Sequence, residues 1–337
     1  MALGLLTLPF LVVTVVGAAK ASTSPFTSSD NPFERAQKAA EKANFTGQLA
    51  VRWVDQQGNV QATTLAVTST NGALRIGQAD VDRLVATHDN QWLLQNGAWA
   101  LMTAPDFSAK APDVARKYTF VAGDPVTIAG READQIEVRV RGQVLERLFF
   151  DKATGLLLCR EQLDDQERVV RVVSFEQLQL GGGGGSSSNK ATPPAGARAA
   201  SVKPVSKANG EYVAPASLSG GYQQVGLLRR PGALQVVYSD GVYSLSVFEQ
   251  QGRLAGGAMP PGGQPVAVAK AKGMRYAWAG GQILVWQAGP ATYTVIGEAT
   301  TNDVLTAASS LPGAAHLSNW HRMRRHLTAV MRAISGG

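Results

Sequence analysis

Apolar and polar positions alternate in short runs along most of this chain, and the runs are separated by glycine, asparagine and aspartate. Over Phe45–Val54, Leu49, Val51 and Trp53 fall on one side and Gln48 and Arg52 on the other, the period-two pattern of a half-buried strand. Gln56-Gln57-Gly58-Asn59 forms a turn into a second strand, Val60–Thr68. Asn71-Gly72 and Asn96-Gly97 are hairpin signals, because both residues accept positive φ. They bracket predicted strands at Ala73–Ile76, Arg83–Thr87, Gln91–Leu94 and Ala98–Met102. Residues 106–118 read as a loop with a short helix starting at Pro112. Strand character resumes at Val126–Ile128 and Gln135–Val140. Arg147–Leu180 then reads as three consecutive strands, turning at Asp151–Gly155 and Asp164–Glu167, with most of its charged residues expected on the solvent face.

Helical signals are fewer. Asn31-Pro32 opens a helix to about Ala43, with Phe33, Ala36, Ala40 and Ala43 on one side. A second block of strands is predicted at Tyr222–Leu228, Leu234–Ser239, Val242–Glu249, Val266–Lys270, Met274–Trp278, Ile283–Trp286 and Thr292–Ile296. Thr300 or Thr301 caps a helix to about Leu311, and Pro312-Gly313 ends it. His316–Ile334 carries Trp320, Met323, Leu327 and Ile334 at helical spacing, with arginines over much of the remainder.

The pattern predicts an α+β chain. Residues 30–180 form a large curved antiparallel sheet, a half-barrel with helices on its concave side. Residues 211–311 form a smaller, mainly antiparallel β domain with a C-terminal helix. Between them, residues 181–210 begin GGGGGSSS, continue through Pro193-Pro194, and read as a flexible linker with nothing hydrophobic enough to fold. Residues 312–337 form a basic amphipathic helix, suited to a membrane surface or to capping the second domain.

Composition bounds the function. At 337 residues with 45% apolar content, two domains with sizeable cores are expected. The net charge is +7, but Lys190, Arg198, Lys203 and Lys207 lie in the linker and Arg322, Arg324, Arg325 and Arg332 in the terminal segment. No recognition motif accompanies this charge, so nucleic acid is not an expected partner. Residues 1–21 contain a dense apolar run, Leu5–Val16, before Ala19-Lys20-Ala21, which fits either a signal peptide cut after Ala21 or an uncleaved anchor. Both readings export the rest of the chain.

Chemistry is sparse. His316, His321 and His326 are five apart, about 500° per step on a helix, so they share no face for a metal. His88-Asp89, Asp164-Asp165 and Ser239-Asp240-Gly241 fit turns better than catalytic sets. The glycine run lacks the Gly-Lys-Ser/Thr ending of a phosphate loop. The single cysteine, Cys159, lies among leucines and reads as a buried thiol. No cofactor and no catalysis are expected. An open concave face would instead offer Leu49, Val51, Trp53, Trp92 and Trp99 as candidates for lining an apolar ligand cavity.

Two stretches carry a resemblance. Leu148–Leu156 (LFFDKATGL), with the Val-rich strand ending Ser174-Phe175-Glu176, and Gly130–Ala133 leading into Ile136–Val138, resemble the end of the first domain of RseB/MucB proteins. Tyr238–Phe248 (YSDGVYSLSVF) resembles that family's second domain, and Val295–Glu298 its end. The resemblance implies a lipoprotein-carrier-like first domain and a non-enzymatic extracytoplasmic regulator. Such a regulator binds a transmembrane anti-sigma factor, shields it from regulated proteolysis, and senses lipid or lipoprotein signals. It makes Tyr238, Asp240, Tyr243 and Phe248 candidates for contacting the partner. A lipid or lipoprotein carrier without a sigma-factor role is the rival expectation.

Overall fold

The computed structural model describes residues 42–70, 73–78, 81–86, 90–95, 98–103, 117–181, 198–199, 203–208, 212–230, 232–252, 261–269 and 271–311, together with Ala36, Ala39, Ala40 and Met259. The predicted signal segment and the basic terminal helix lie outside these residues. No helix among the described residues is long and apolar enough to cross a membrane, which says nothing of a β-barrel.

The described chain runs β1 (Phe45–Val54), β2 (Val60–Thr70), β3 (Ala73–Gln78), β4 (Val81–Ala86), β5 (Asn90–Gln95), β6 (Ala98–Thr103), β7 (Thr119–Ala122), β8 (Val126–Ile128), β9 (Arg131–Val140), β10 (Gln143–Asp151), β11 (Leu157–Leu163) and β12 (Val169–Leu180). It continues with β13 (Arg198–Ala199), β14 (Lys203–Pro204), β15 (Ser217–Leu218), β16 (Tyr222–Arg230), β17 (Ala233–Ser239), β18 (Ser244–Gln251), β19 (Gln264–Val268), β20 (Ala271–Trp278), β21 (Gly281–Ala288) and β22 (Ala291–Gly297), and closes on helix α1 (Thr301–Ser309).

Two open sheets result. The first has the order β13-β6-β5-β4-β3-β2-β1-β12-β11-β10-β9-β7, with β8 also on β9; the second has the order β14-β16-β17-β18-β22-β21-β20-β19, with β15 on β16. Neighbours are antiparallel except β13, which joins β6 in parallel. The first sheet is therefore largely a chain of hairpins, joined over long range by β1 with β12 and by β13 with β6. Turn chemistry agrees with the sequence reading. Gly155 has φ 77° and closes the β10–β11 turn, and Gly241 has φ 93° in the turn after β17. Asp164 Oδ1 accepts the backbone N–H groups of Gln166 and Arg168 at 2.9 Å each, an aspartate-built turn. Asp151 likewise holds its own turn, accepting from Thr154 N and Thr154 Oγ1 while pairing with Arg131 at 2.7 Å. Burial opposes the charge on Asp151, but these bonds outweigh it and hold its carboxyl below the usual carboxylate range.

Two short pieces of residues 181–210 pair with the sheets. Arg198–Ala199 extends the edge of the first sheet, and Lys203–Pro204 pairs with β16 of the second, followed by Val205 N donating to Leu227 O at 3.0 Å. Backbone pairing needs no apolar side chain, so composition alone did not reveal it. Only Ala200, Ser201 and Val202 separate the two attachments.

Residue parity places the cores. Along β1, Leu49 and Val51 are buried while Gln48 and Arg52 are exposed. One face of the second sheet carries Leu234, Val236, Leu245, Val247, Leu284 and Val295, clustered with Val304, Ala307, Ala308 and Leu311 of and beyond α1. Thr300 caps that helix, its hydroxyl accepting from Asp303 N at 3.3 Å. The opposite face carries Phe248, Tyr276, Ile283, Val285 and Ile296, and these cluster with Leu49, Val51, Val173 and Phe175 of the first sheet. The two sheets thus pack face to face. Ala36, Ala39, Ala40 and Lys42 are helical, and Ala36 and Ala40 are buried. The face of the first sheet that presents Leu49 and Val51 is covered by the second sheet.

At Gly281 the end of the neighbouring strand β22 leaves no room for a side chain. Gly281 has φ +117°, and a Cβ there would overlap the carbonyl oxygen of Gly297. Gly58, at φ +85°, has open space around it. Gly58→Ala is expected to cost about 1–2 kcal/mol from backbone strain alone, and Gly281→Ala about 3 kcal/mol or more because overpacking adds to strain. Urea denaturation of both variants checks the difference; equal losses would contradict this account of the β21–β22 contact.

Candidate functional site

The described residues bring most of their buried charge to one place, the seam between the two sheets. Two rows of register partners cross the first sheet there. One runs Val51–Val173–Arg160–Leu148–Ile136 from β1 to β9, and the next runs Trp53–Arg171–Gln162–Glu146–Val138. Partners in register point to the same face, so two arginines, a glutamate and a glutamine share a face with apolar neighbours. Arg160 and Arg171 are each 4% exposed and Glu146 is 1% exposed, so these charges must be compensated within the protein.

Compensation comes partly from across the seam. Arg160 Nε donates to both Glu146 oxygens at 3.0 Å, and its Nη1 donates to Glu298 Oε2 at 2.8 Å. Glu298 follows β22 in the second domain and is 2% exposed. Gln162 Nε2 donates to the Glu298 carbonyl, and Arg171 Nε to the Ala279 carbonyl at 2.7 Å. Burial works against the Arg160 charge, but the carboxylates of Glu146 and Glu298 outweigh it and raise its pKa. Arg171 has no carboxylate within ion-pair distance among the described residues, and burial lowers its pKa to about 10. Burial raises the Glu146 pKa, with Arg160 opposing.

A second contact flanks the first. Asp240, in the β17–β18 turn, accepts from Lys117 Nζ and Tyr118 Oη at 2.5 Å each through Oδ2. Its Oδ1 accepts the backbone N–H groups of Val242 and Tyr243 at 3.0 and 2.7 Å. One carboxylate therefore shapes a turn of the second domain and grips the segment leading into β7 of the first. Tyr118 and Tyr243 meet edge to face with centroids 6.3 Å apart, and the Arg160 guanidinium sits 5.7 Å from the Tyr243 ring centre. At the other end, the β1–β2 hairpin reaches across. Gln56 donates to the Gly262 carbonyl and accepts from Ala277 N at 3.0 Å.

The sequence candidates fall as follows. Leu49 and Val51 are buried under the second sheet, and Trp53 is half-buried beside them. Trp92 and Trp99 lie on β5 and β6, and their side chains lie outside the described residues. Tyr238 is buried and donates to the Pro215 carbonyl at 2.9 Å. Asp240 and Tyr243 are buried in the seam, and Phe248 is buried in the inter-sheet cluster with the Arg230 guanidinium 5.8 Å from its ring centre. Asp240, Tyr243 and Phe248 thus engage the chain's own first domain, while Tyr238 is held within the second. The expectation that the charges of Arg147–Leu180 lie on the solvent face is corrected for Arg160 and Arg171. The signal was present: Arg171 alternates with Val173 and Phe175, so it stands on the apolar parity of its strand.

Cys159 is buried, and burial pushes its thiol up to about 11, which leaves it protonated and unreactive near neutral pH. Asp164 is committed to its turn. No cluster of three or more His, Cys, Asp or Glu able to hold a metal occurs among the described residues.

Residues 51–196 match the family model of the MucB/RseB N-terminal domain. In fold, the chain is similar to a chain of the Pseudomonas aeruginosa MucA/MucB complex, at 18% identity and a TM-score of 0.52, covering 86% of this chain and 100% of that one. Similarity to MucB in complex with MucA(peri) runs at 19% identity and TM-score 0.49, over 86% and 100% of the two chains, and to MucB at 19% and 0.48, over 84% and 98%. No curated protein matches the chain. The two-domain β architecture of this chain is thus a MucB-like fold.

Removing Arg160 leaves Glu146 and Glu298 buried without their shared cation. Arg160→Met is expected to lower unfolding free energy by about 3–5 kcal/mol. Replacing Glu146 and Glu298 by leucine in the same chain should recover most of that loss, because a buried ion network adds little beyond packed apolar groups of similar volume. Guanidinium unfolding of the single and triple variants checks both statements.

Proposed function

We propose that this MucB/RseB-like chain is a non-enzymatic extracytoplasmic regulator. It binds the outer portion of a transmembrane anti-sigma factor and protects it from regulated proteolysis, responding to lipid or lipoprotein signals. The observation that carries this reading is the similarity across both domains to a chain of the MucA/MucB complex, joined to the family match over residues 51–196. The apolar leader at Leu5–Val16 supports export. The commitment of Asp164, Asp240 and Cys159 to turns and core supports a binding role over catalysis.

The rival is a lipid or lipoprotein carrier. A carrier needs its apolar face open for cargo exchange, whereas here Leu49 and Val51 lie beneath Phe248, Tyr276 and Ile283. That covering favours a regulator, whose task is a stable and switchable complex.

Crosslinking in intact cells followed by capture of the chain from membranes is expected to recover a single-span membrane protein encoded near a sigma factor. Deleting the chain should shorten the lifetime of that partner's outer portion several-fold in a pulse-chase measurement. Recovery of lipoproteins alone, with the partner's lifetime unchanged, would establish the carrier.

A further inference from the structure

The charges at the seam are unevenly divided. The first domain supplies Arg160, Arg171 and Glu146, and the second supplies Glu298. Two cations against one carboxylate leave the first domain's face with one uncompensated positive charge, set among Val51, Val173, Leu148 and Trp53. Glu298 restores neutrality. Its Oε2 reaches Arg160, while its Oε1 is buried without a hydrogen-bond partner. Burying a carboxylate oxygen unsatisfied carries a cost, which the first domain's excess positive charge offsets. Around the same spot, Phe248, Tyr276, Ile283, Val285 and Ile296 cover the apolar part of the face. The second domain therefore presents the first with an anion beside an apolar body.

We propose that the second domain is an internal competitor. Glu298 and its surrounding apolar face occupy a site on the first domain that also takes the anionic headgroup and acyl portion of a phospholipid, so lipid and domain closure exclude each other. This rests on the lipid-responsive part of the proposed function and specifies its regulation. The headgroup would sit at Arg160 and Arg171, and the acyl portion on Val51, Val173, Leu49 and Phe175. Arg171 is the residue that distinguishes such a site from a purely structural ion pair. It is a buried cation that no described carboxylate pairs with, next to the position Glu298 fills.

The test is co-sedimentation of the full chain with vesicles of phosphatidylglycerol or of phosphatidylcholine. Glu298→Gln keeps the side chain's size and removes its charge. It is expected to raise binding to phosphatidylglycerol roughly tenfold, because apparent affinity scales with the fraction of open molecules, with no gain on phosphatidylcholine. Arg171→Gln in the same chain should abolish the gain, and inorganic phosphate at millimolar concentration should leave it intact if the acyl portion contributes. A second variant guards against misfolding of the first. Gln57→Cys with Pro261→Cys places thiols on exposed neighbours of the Gln56–Gly262 contact, and a bis-maleimide joins them to lock the domains. The locked chain should bind neither vesicle, and the unlinked chain should bind phosphatidylglycerol. No gain for Glu298→Gln, an equal gain on phosphatidylcholine, loss of the gain to phosphate alone, or full binding by the locked chain would each overturn the proposal. Capture of the anti-sigma factor by wild-type and locked chains, read separately, shows whether the regulatory reading stands regardless.

Discussion

Charge compensation across the inter-sheet seam is the constraint on which the arrangement of this protein depends. Arg160 is buried on a face between Val173 and Leu148, and neither domain alone neutralises it together with Arg171. The apolar cluster between the sheets supplies non-directional attraction. The ionic contacts add direction, since Glu298 can reach Arg160 only in one register of sheet against sheet. Asp240 and Gln56 add directional hydrogen bonds at two further points, each fixing backbone and bridging domains with the same side chain. The two sheets consequently share their cores, and each cluster of buried residues draws on both.

Much of this was legible in the sequence. β1 falls on Phe45–Val54 as its alternation requires, and glycine and aspartate mark the turns after β10, β11 and β17. Strand ends moved by a few residues, and β7 falls outside every predicted element because four residues carry too little pattern. What period-two reasoning could not settle was the sign of exceptions. An arginine on a strand is more often exposed, and only its partner, well over a hundred residues away at Glu298, turns Arg160 into a core residue. Pairings of that range leave no local trace. Arg171 did leave one, by sharing parity with Val173 and Phe175, and the abundance of charged residues nearby obscured it.

The Tyr238–Phe248 segment became a candidate partner surface through its resemblance to the second domain of RseB/MucB proteins, not through its pattern. Here the turn's Asp240 meets Lys117 and Tyr118, so the patch is satisfied within the chain. The tyrosines around it are buried against a guanidinium and one another, where their rings pack and their hydroxyls stay protonated.

The strap formed by β13 and β14 adds a quantity that contact geometry leaves out. It is pinned to one edge of each sheet with three residues between the pins, a reach of about 14 Å at full extension. A tether that short holds the second domain beside the first at an effective local concentration in the millimolar range or above. Any external molecule that displaces it must therefore win against a rival that never diffuses away. Such a molecule would have to arrive as a dense array, as on a membrane surface or a membrane-anchored partner, and a dilute soluble ligand would be outcompeted by the chain itself.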